Sequence, residues 1–125
     1  MNQNKGEFED ECPWFADMIS YSKKIVTDNL LDYCYIDELV TIMALDNEAE
    51  SVLEYIESFS SDEQLKKIIE VGLSHIQPQA RWQLAELISN RRPQNYIDYL
   101  ERLSRDNHPY VLNRAQECLK RVKNT

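Results

Sequence analysis

The sequence predicts an all-α protein of about seven short helices in antiparallel hairpins, and three observations predict it. Apolar residues recur at spacings of three, four and seven, the period of a helix that buries one stripe. Glycine occurs only twice, at Gly6 and Gly72, which leaves little material for tight hairpins or phosphate-cradling loops. Pro13, Pro78, Pro93 and Pro109 each fall where an apolar stripe begins, and proline is well tolerated in a first helical turn.

Residues 1–11 carry few apolar side chains and no periodicity, so they read as a flexible acidic tail with Phe8 as one potential anchor. The remainder, 12–125, reads as a single domain, because a chain of 125 residues supports one core. A first helix is predicted from Pro13 to about Asp32, with Trp14, Phe15, Met18, Ile19, Ile25, Val26 and Leu30 on its buried stripe. The second covers 35–45, with Ile36, Leu39, Val40 and Met43 inward and Asp37, Glu38 and Thr41 outward. After a turn at Asp46-Asn47, a third spans 48–59, burying Ala49, Val52, Leu53, Ile56 and Phe59 and turning Glu50, Glu54 and Glu57 outward.

Ser61 and Gln64 have the spacing of a capping box, in which the serine accepts from the amide at 64 while the glutamine reaches back. The fourth helix then runs to about His75, with Gly72 either allowing close helix contact or weakening the last turn. A fifth begins at Pro78 and ends at Arg91-Arg92, where cations suit the helix dipole and Pro93 prevents continuation. Pro93 opens a sixth through Leu103, and Asn107-His108-Pro109 launches a seventh through Val122.

Two of these helices align at an offset of 31 residues: Pro78-Gln79-Ala80-Arg81 with Pro109-Tyr110-Val111-Leu112, and Leu84, Leu87 and Ile88 with Ala115, Cys118 and Leu119. Leu73-Ser74 and Leu103-Ser104 align at an offset of 30. With the Asp106-Asn107-His108-Pro109 turn, Arg81 and Ala115, residues 33–123 resemble the HEAT family of helical repeats. Leu84 and Leu112 depart from the residues that family often has. The resemblance implies a curved helix stack with a broad face for other macromolecules.

Charge divides the chain. Residues 1–60 hold 14 acids and 3 bases, and residues 61–125 hold 8 acids and 11 bases. The stretch 25–65 has no Lys or Arg across 41 residues and carries eleven carboxylates. A surface of that sign repels nucleic acid and accelerates association with basic proteins. Asp37, Glu38, Glu50, Glu54 and Glu57, with Tyr35 and Tyr55, are the predicted partner-binding residues. Tyr33, Tyr35 and Tyr55 stay balanced between core edge and interface, since a phenol suits one dry side and one wet end.

Catalytic signals are missing. The sequence has no HExxH, GxSxG, P-loop or dinucleotide fingerprint, and neither a metal nor a cofactor is expected. Cys12, Cys34 and Cys118 form no CxxC pair and read as buried reduced thiols, while His75 and His108 read as helix-end caps. The N-terminus is polar and acidic where a secretory signal would be basic and then apolar, so a cytoplasmic location is expected.

In size, acidity and helical character the chain looks like bacterial immunity proteins of contact-dependent growth inhibition systems. That resemblance implies a one-to-one complex with a basic nuclease toxin domain and no reaction of its own. Two alternatives remain: a HEAT-like nucleic-acid or DNA-repair domain with Arg81, Arg91, Arg92, Arg102, Arg105 and Arg114 on phosphates, or a passive helical-repeat adaptor.

Overall fold

The structure is a computed structural model that describes residues 14–124. The acidic tail, Cys12 and the helix start at Pro13 lie outside the described residues. Among the described residues seven helices appear in order: α1 (Phe15–Thr27), α2 (Tyr33–Leu45), α3 (Ser51–Phe59), α4 (Asp62–Leu73), α5 (Pro78–Arg91), α6 (Tyr96–Leu103) and α7 (Pro109–Lys123). Among the described residues there is no strand, so the fold is all-α as the periodicity predicts.

Helices α2 and α5 form the centre. α2 packs on α1, α4 and α5, while α5 also meets α3, α6 and, most extensively, α7. One continuous core results, with Ile36, Leu39 and Met43 of α2 and Leu84, Leu87 and Ile88 of α5 fully buried.

Local chemistry explains the boundaries. α1 stops at Thr27, short of the expected Asp32, because Asn29 enters the left-handed region (φ 51°). The Leu30 amide then donates to the Ile25 carbonyl and the Asn29 amide to Val26, closing a Schellman motif. α3 starts at Ser51 rather than at 48. Glu50 itself has φ 57°, and the buried Asp46 carboxylate takes the Val52 amide (2.9 Å) and the Ser51 hydroxyl (2.9 Å). The Asp46 turn is therefore the N-terminal cap of the next helix. α6 starts at Tyr96 rather than Pro93, because Asn95 also turns left-handed (φ 67°).

Stripe assignments fail at helix ends, where a residue has no neighbouring turn to shelter it. Phe59 is 64% exposed and stacks on Tyr55 at 4.7 Å instead of entering the core. Trp14 is exposed just ahead of α1, and Ala49 is exposed in the turn before α3. Cys34 is exposed too, on the outer side of α2, whereas Cys118 is buried as expected.

The expected capping box forms by half. Ser61 Oγ accepts from the Gln64 amide (3.0 Å), but the Gln64 side chain is fully buried and donates to the carbonyls of Ile25 (3.1 Å) and Leu30 (2.9 Å). It ties α4 to the end of α1. Gln83 does the same on the other side of the core, joining α5 to the Met43 carbonyl of α2 (2.8 Å). Gly72 settles into close contact: a Cβ there would lie 3.0 Å from Leu84 Cδ2, so its lack of a side chain sets how near α4 approaches α5.

Candidate functional site

The seven predicted binding residues fall on or beside two helices. Tyr35, Asp37 and Glu38 belong to α2, whereas Glu50, Glu54, Tyr55 and Glu57 lie on or beside α3. Among the described residues no hydrogen bond or ion pair joins the two groups.

One member of the α3 group, Glu50, is drawn into the molecule by a C-terminal cation. Glu50 receives Arg114 Nη2 at 3.4 Å, and Arg114 Nε also donates to Glu86 Oε1 at 2.9 Å. Arg121 Nη2 closes on the other Glu86 oxygen at 2.8 Å. Burial alone would raise the Glu86 carboxyl, but the Arg121 and Arg114 bonds outweigh it and hold it below the usual glutamate range. Glu57 behaves in the opposite way. Burial, reinforced by Glu86, Glu54 and Glu50, pushes its carboxyl up against the hydrogen bond from Asn90 (2.8 Å). Glu54 remains exposed. Tyr55 turns toward α1, where its hydroxyl meets Thr27 Oγ1 at 2.7 Å and its ring lies 5.5 Å from Lys23 Nζ. It is a core-edge tyrosine.

The acidic stretch therefore lies against the C-terminal arginines. Besides Arg114, Arg91 reaches from the end of α5 to the carbonyls of Ile56 and Glu57, the Ser60 hydroxyl (2.7 Å) and the Asp62 carboxylate (3.1 Å). A C-terminal cation thus caps the end of α3. Arg81 is also committed, bonding Asp106 at 2.7 and 3.1 Å and the His75 carbonyl at 2.7 Å. Of the six arginines considered for phosphate contact, three thus hold the fold together.

The α2 group keeps an open face. Cys34, Asp37 and Glu38 are exposed at i, i+3 and i+4, with Leu45 further along the helix. Tyr35 is half-buried against the core beneath them. Two tyrosines that flank this face are fixed by carboxylates. Tyr21 of α1 donates to Glu38 at 2.7 Å, which pushes its phenol up to about 12, with burial contributing less. Tyr33 donates to Glu70 of α4, and that bond raises its phenol also. Lys67 Nζ lies 4.3 Å over the Tyr33 ring. Neither Asp37 nor Glu38 has a lysine or arginine partner among the described residues. Tyr21 and Glu70 escape sequence reading because they lie on helices other than α2, and only their exposure and their bonds to Glu38 and Tyr33 single them out.

His108 takes the N-cap of α7, whereas His75 lies in the α4–α5 connection and is the cap residue of neither helix. His75 Nδ1 accepts the Gln77 amide (3.0 Å) and its Nε2 meets Thr41 Oγ1 (3.3 Å), while His108 Nδ1 accepts the Tyr110 amide (3.3 Å) at the start of α7. Burial lowers the His75 pKa and favours the neutral ring that the Gln77 contact requires. Among the described residues, no cluster of three or more His, Cys, Asp or Glu side chains is arranged to hold a metal ion, and no helix is long and apolar enough to cross a membrane.

Compared with protein-family models, curated proteins and solved structures, the chain matches none.

Proposed function

We propose that this chain is a non-catalytic, cytoplasmic binding module that docks a basic protein one-to-one on the outward face of α2. The resemblance to immunity proteins gives the partner its class, a cationic nuclease toxin domain whose active site the complex would cover. The observation that carries the reading is the pair Asp37 and Glu38, exposed, uncompensated by any lysine or arginine, and flanked by Tyr21 and Tyr33. Carboxylates steer a basic partner to the surface, and aromatic rings supply contact area once it arrives. Because both phenols are already hydrogen-bonded, less side-chain freedom is lost on docking.

The HEAT-like stack belongs to the same reading. The commitment of Arg81, Arg91 and Arg114 to internal acids weighs against a phosphate-binding stripe.

The test pairs this chain with the protein encoded by the adjoining reading frame. A basic nuclease domain there should form a one-to-one complex with it, lose activity on binding, and associate more slowly as salt rises. Asp37→Lys with Glu38→Lys should slow association by about tenfold or more, whereas Glu50→Gln should leave the rate near that of the parent. An unchanged rate in the α2 double variant would sink the assignment.

A further inference from the structure

Between the first turn of α4 and the α5–α6 connection lies a pocket of about 540 Å³, inside the range of about 300–1,000 Å³ typical of small-molecule sites. Its charge is opposite to that of the chain. Lys66, Arg91 and Arg92 line it against the Asp62 carboxylate, in a protein of net charge −8. Arg91 is occupied by Asp62 and the end of α3. Lys66 and Arg92, by contrast, have no carboxylate partner among the described residues. Arg92 donates its Nε to the Ser89 carbonyl at 3.3 Å, and its guanidinium sits 5.9 Å from the Tyr96 ring.

More donors converge on the same space. Gln94, Asn95 and Tyr99 line the pocket, and none of their side chains has a hydrogen-bond partner among the described residues. The apolar part of the lining comes from Leu65, Ile69 and Pro93, the first two belonging to the core. A basic protein docking on α2 accounts for none of this, since such a partner would be repelled by the two free cations.

We propose that this pocket binds a small organic anion, its phosphate or carboxylate head between Lys66 and Arg92 and its apolar body against Pro93, over a floor of the buried Leu65 and Ile69. A charged head held by two cations uses the strongest class of hydrogen bond, and the neighbouring amides and phenol supply further donors to its oxygens. An apolar body distinguishes such a ligand from an inorganic ion.

The experiment titrates the full chain with phenyl phosphate, benzoate and phenol, followed by calorimetry and by amide chemical shifts. Phenyl phosphate or benzoate is expected to bind with Kd of about 1 mM or tighter, shifting amides at 62–69 and 91–99. The tighter of the two identifies the head group. Phenol, which has the body without the charge, should bind at least about tenfold more weakly. Lys66→Gln with Arg92→Asn should weaken anion binding by about tenfold or more at unchanged circular dichroism, because both side chains are exposed and neither supports the core. Asp62→Asn should tighten it. Phenol binding as well as the anions, no shift with either anion, or undiminished affinity in the double variant would overturn the assignment.

Discussion

Tyr21 and Glu38 stand 17 residues apart in the chain and 2.7 Å apart in space, where the phenol of α1 donates to the carboxylate of α2. The bond requires a protonated phenol, and it pushes the Tyr21 pKa up to about 12 from the ordinary value near 10. With a folded pKa above the unfolded one, the bond's stabilising effect is complete below about pH 10 and is lost as pH rises through about 12. Ultraviolet titration should therefore show Tyr33 ionising late, through its bond to Glu70, along with Tyr21. Glu38→Gln should return Tyr21 toward the ordinary range, and an unchanged titration would remove this contact from the surface.

Glu57 and Glu86 should titrate with opposite signs. Glu86, held low by its two arginines, contributes stability above the ordinary glutamate pKa that disappears as pH falls through its folded value. Glu57, held high by burial and by its acidic neighbours, contributes stability that is present in acid and lost as pH rises through its folded value. At neutral pH, Glu57→Gln should raise the melting temperature and Glu86→Gln should lower it. Both differences should shrink on acidification, and thermal melts across that range will show it.

Arg81 and Asp106 fasten the α4–α5 connection to the α6–α7 connection. Burial alone would raise the Asp106 carboxyl, but Arg81 and the His108 amide together hold it low. Both side chains are nearly buried, at 13% and 11% exposure. Removing Arg81 leaves a sheltered carboxylate without its cation, so Arg81→Ala should cost about 3 kcal/mol of unfolding free energy in denaturant melts. The cost should fall when Asp106→Asn is present as well, since less buried charge is stranded.

Gly72 offers a graded test of the α4–α5 contact. Alanine gains about 1 kcal/mol of helix propensity over glycine, and its Cβ would press on the flexible tip of Leu84 at 3.0 Å. The two effects should nearly cancel in Gly72→Ala. Leucine cannot be accommodated in the same way, and Gly72→Leu should destabilise by about 2 kcal/mol through overpacking. Equal melting temperatures for glycine and leucine would refute the close-contact explanation.

Helix number and most of the core were legible in the sequence because both depend on residues three, four and seven apart. Val52, Leu53 and Ile56 of α3 lie as deeply as their spacing implies. Phe59 follows the same spacing and is exposed, because periodicity gives the direction of a side chain and says nothing about whether another helix arrives to cover it. The Ser61 cap was legible because its partner is three residues away. The destination of Gln64 was not, since the carbonyls it meets are 39 and 34 residues distant.

The acidic stretch shows the same division. Its composition and the outward turn of Asp37 and Glu38 follow from local sequence alone, and they point to a surface that attracts cations. Tertiary structure decided which carboxylates stay available. Arg114 comes back across 64 residues to engage Glu50, Asn90 engages Glu57, and Tyr21 and Glu70 are set beside α2. The physical reason is range: side-chain periodicity is settled within a turn or two of helix, whereas ion pairing depends on which helices become neighbours once the core has formed.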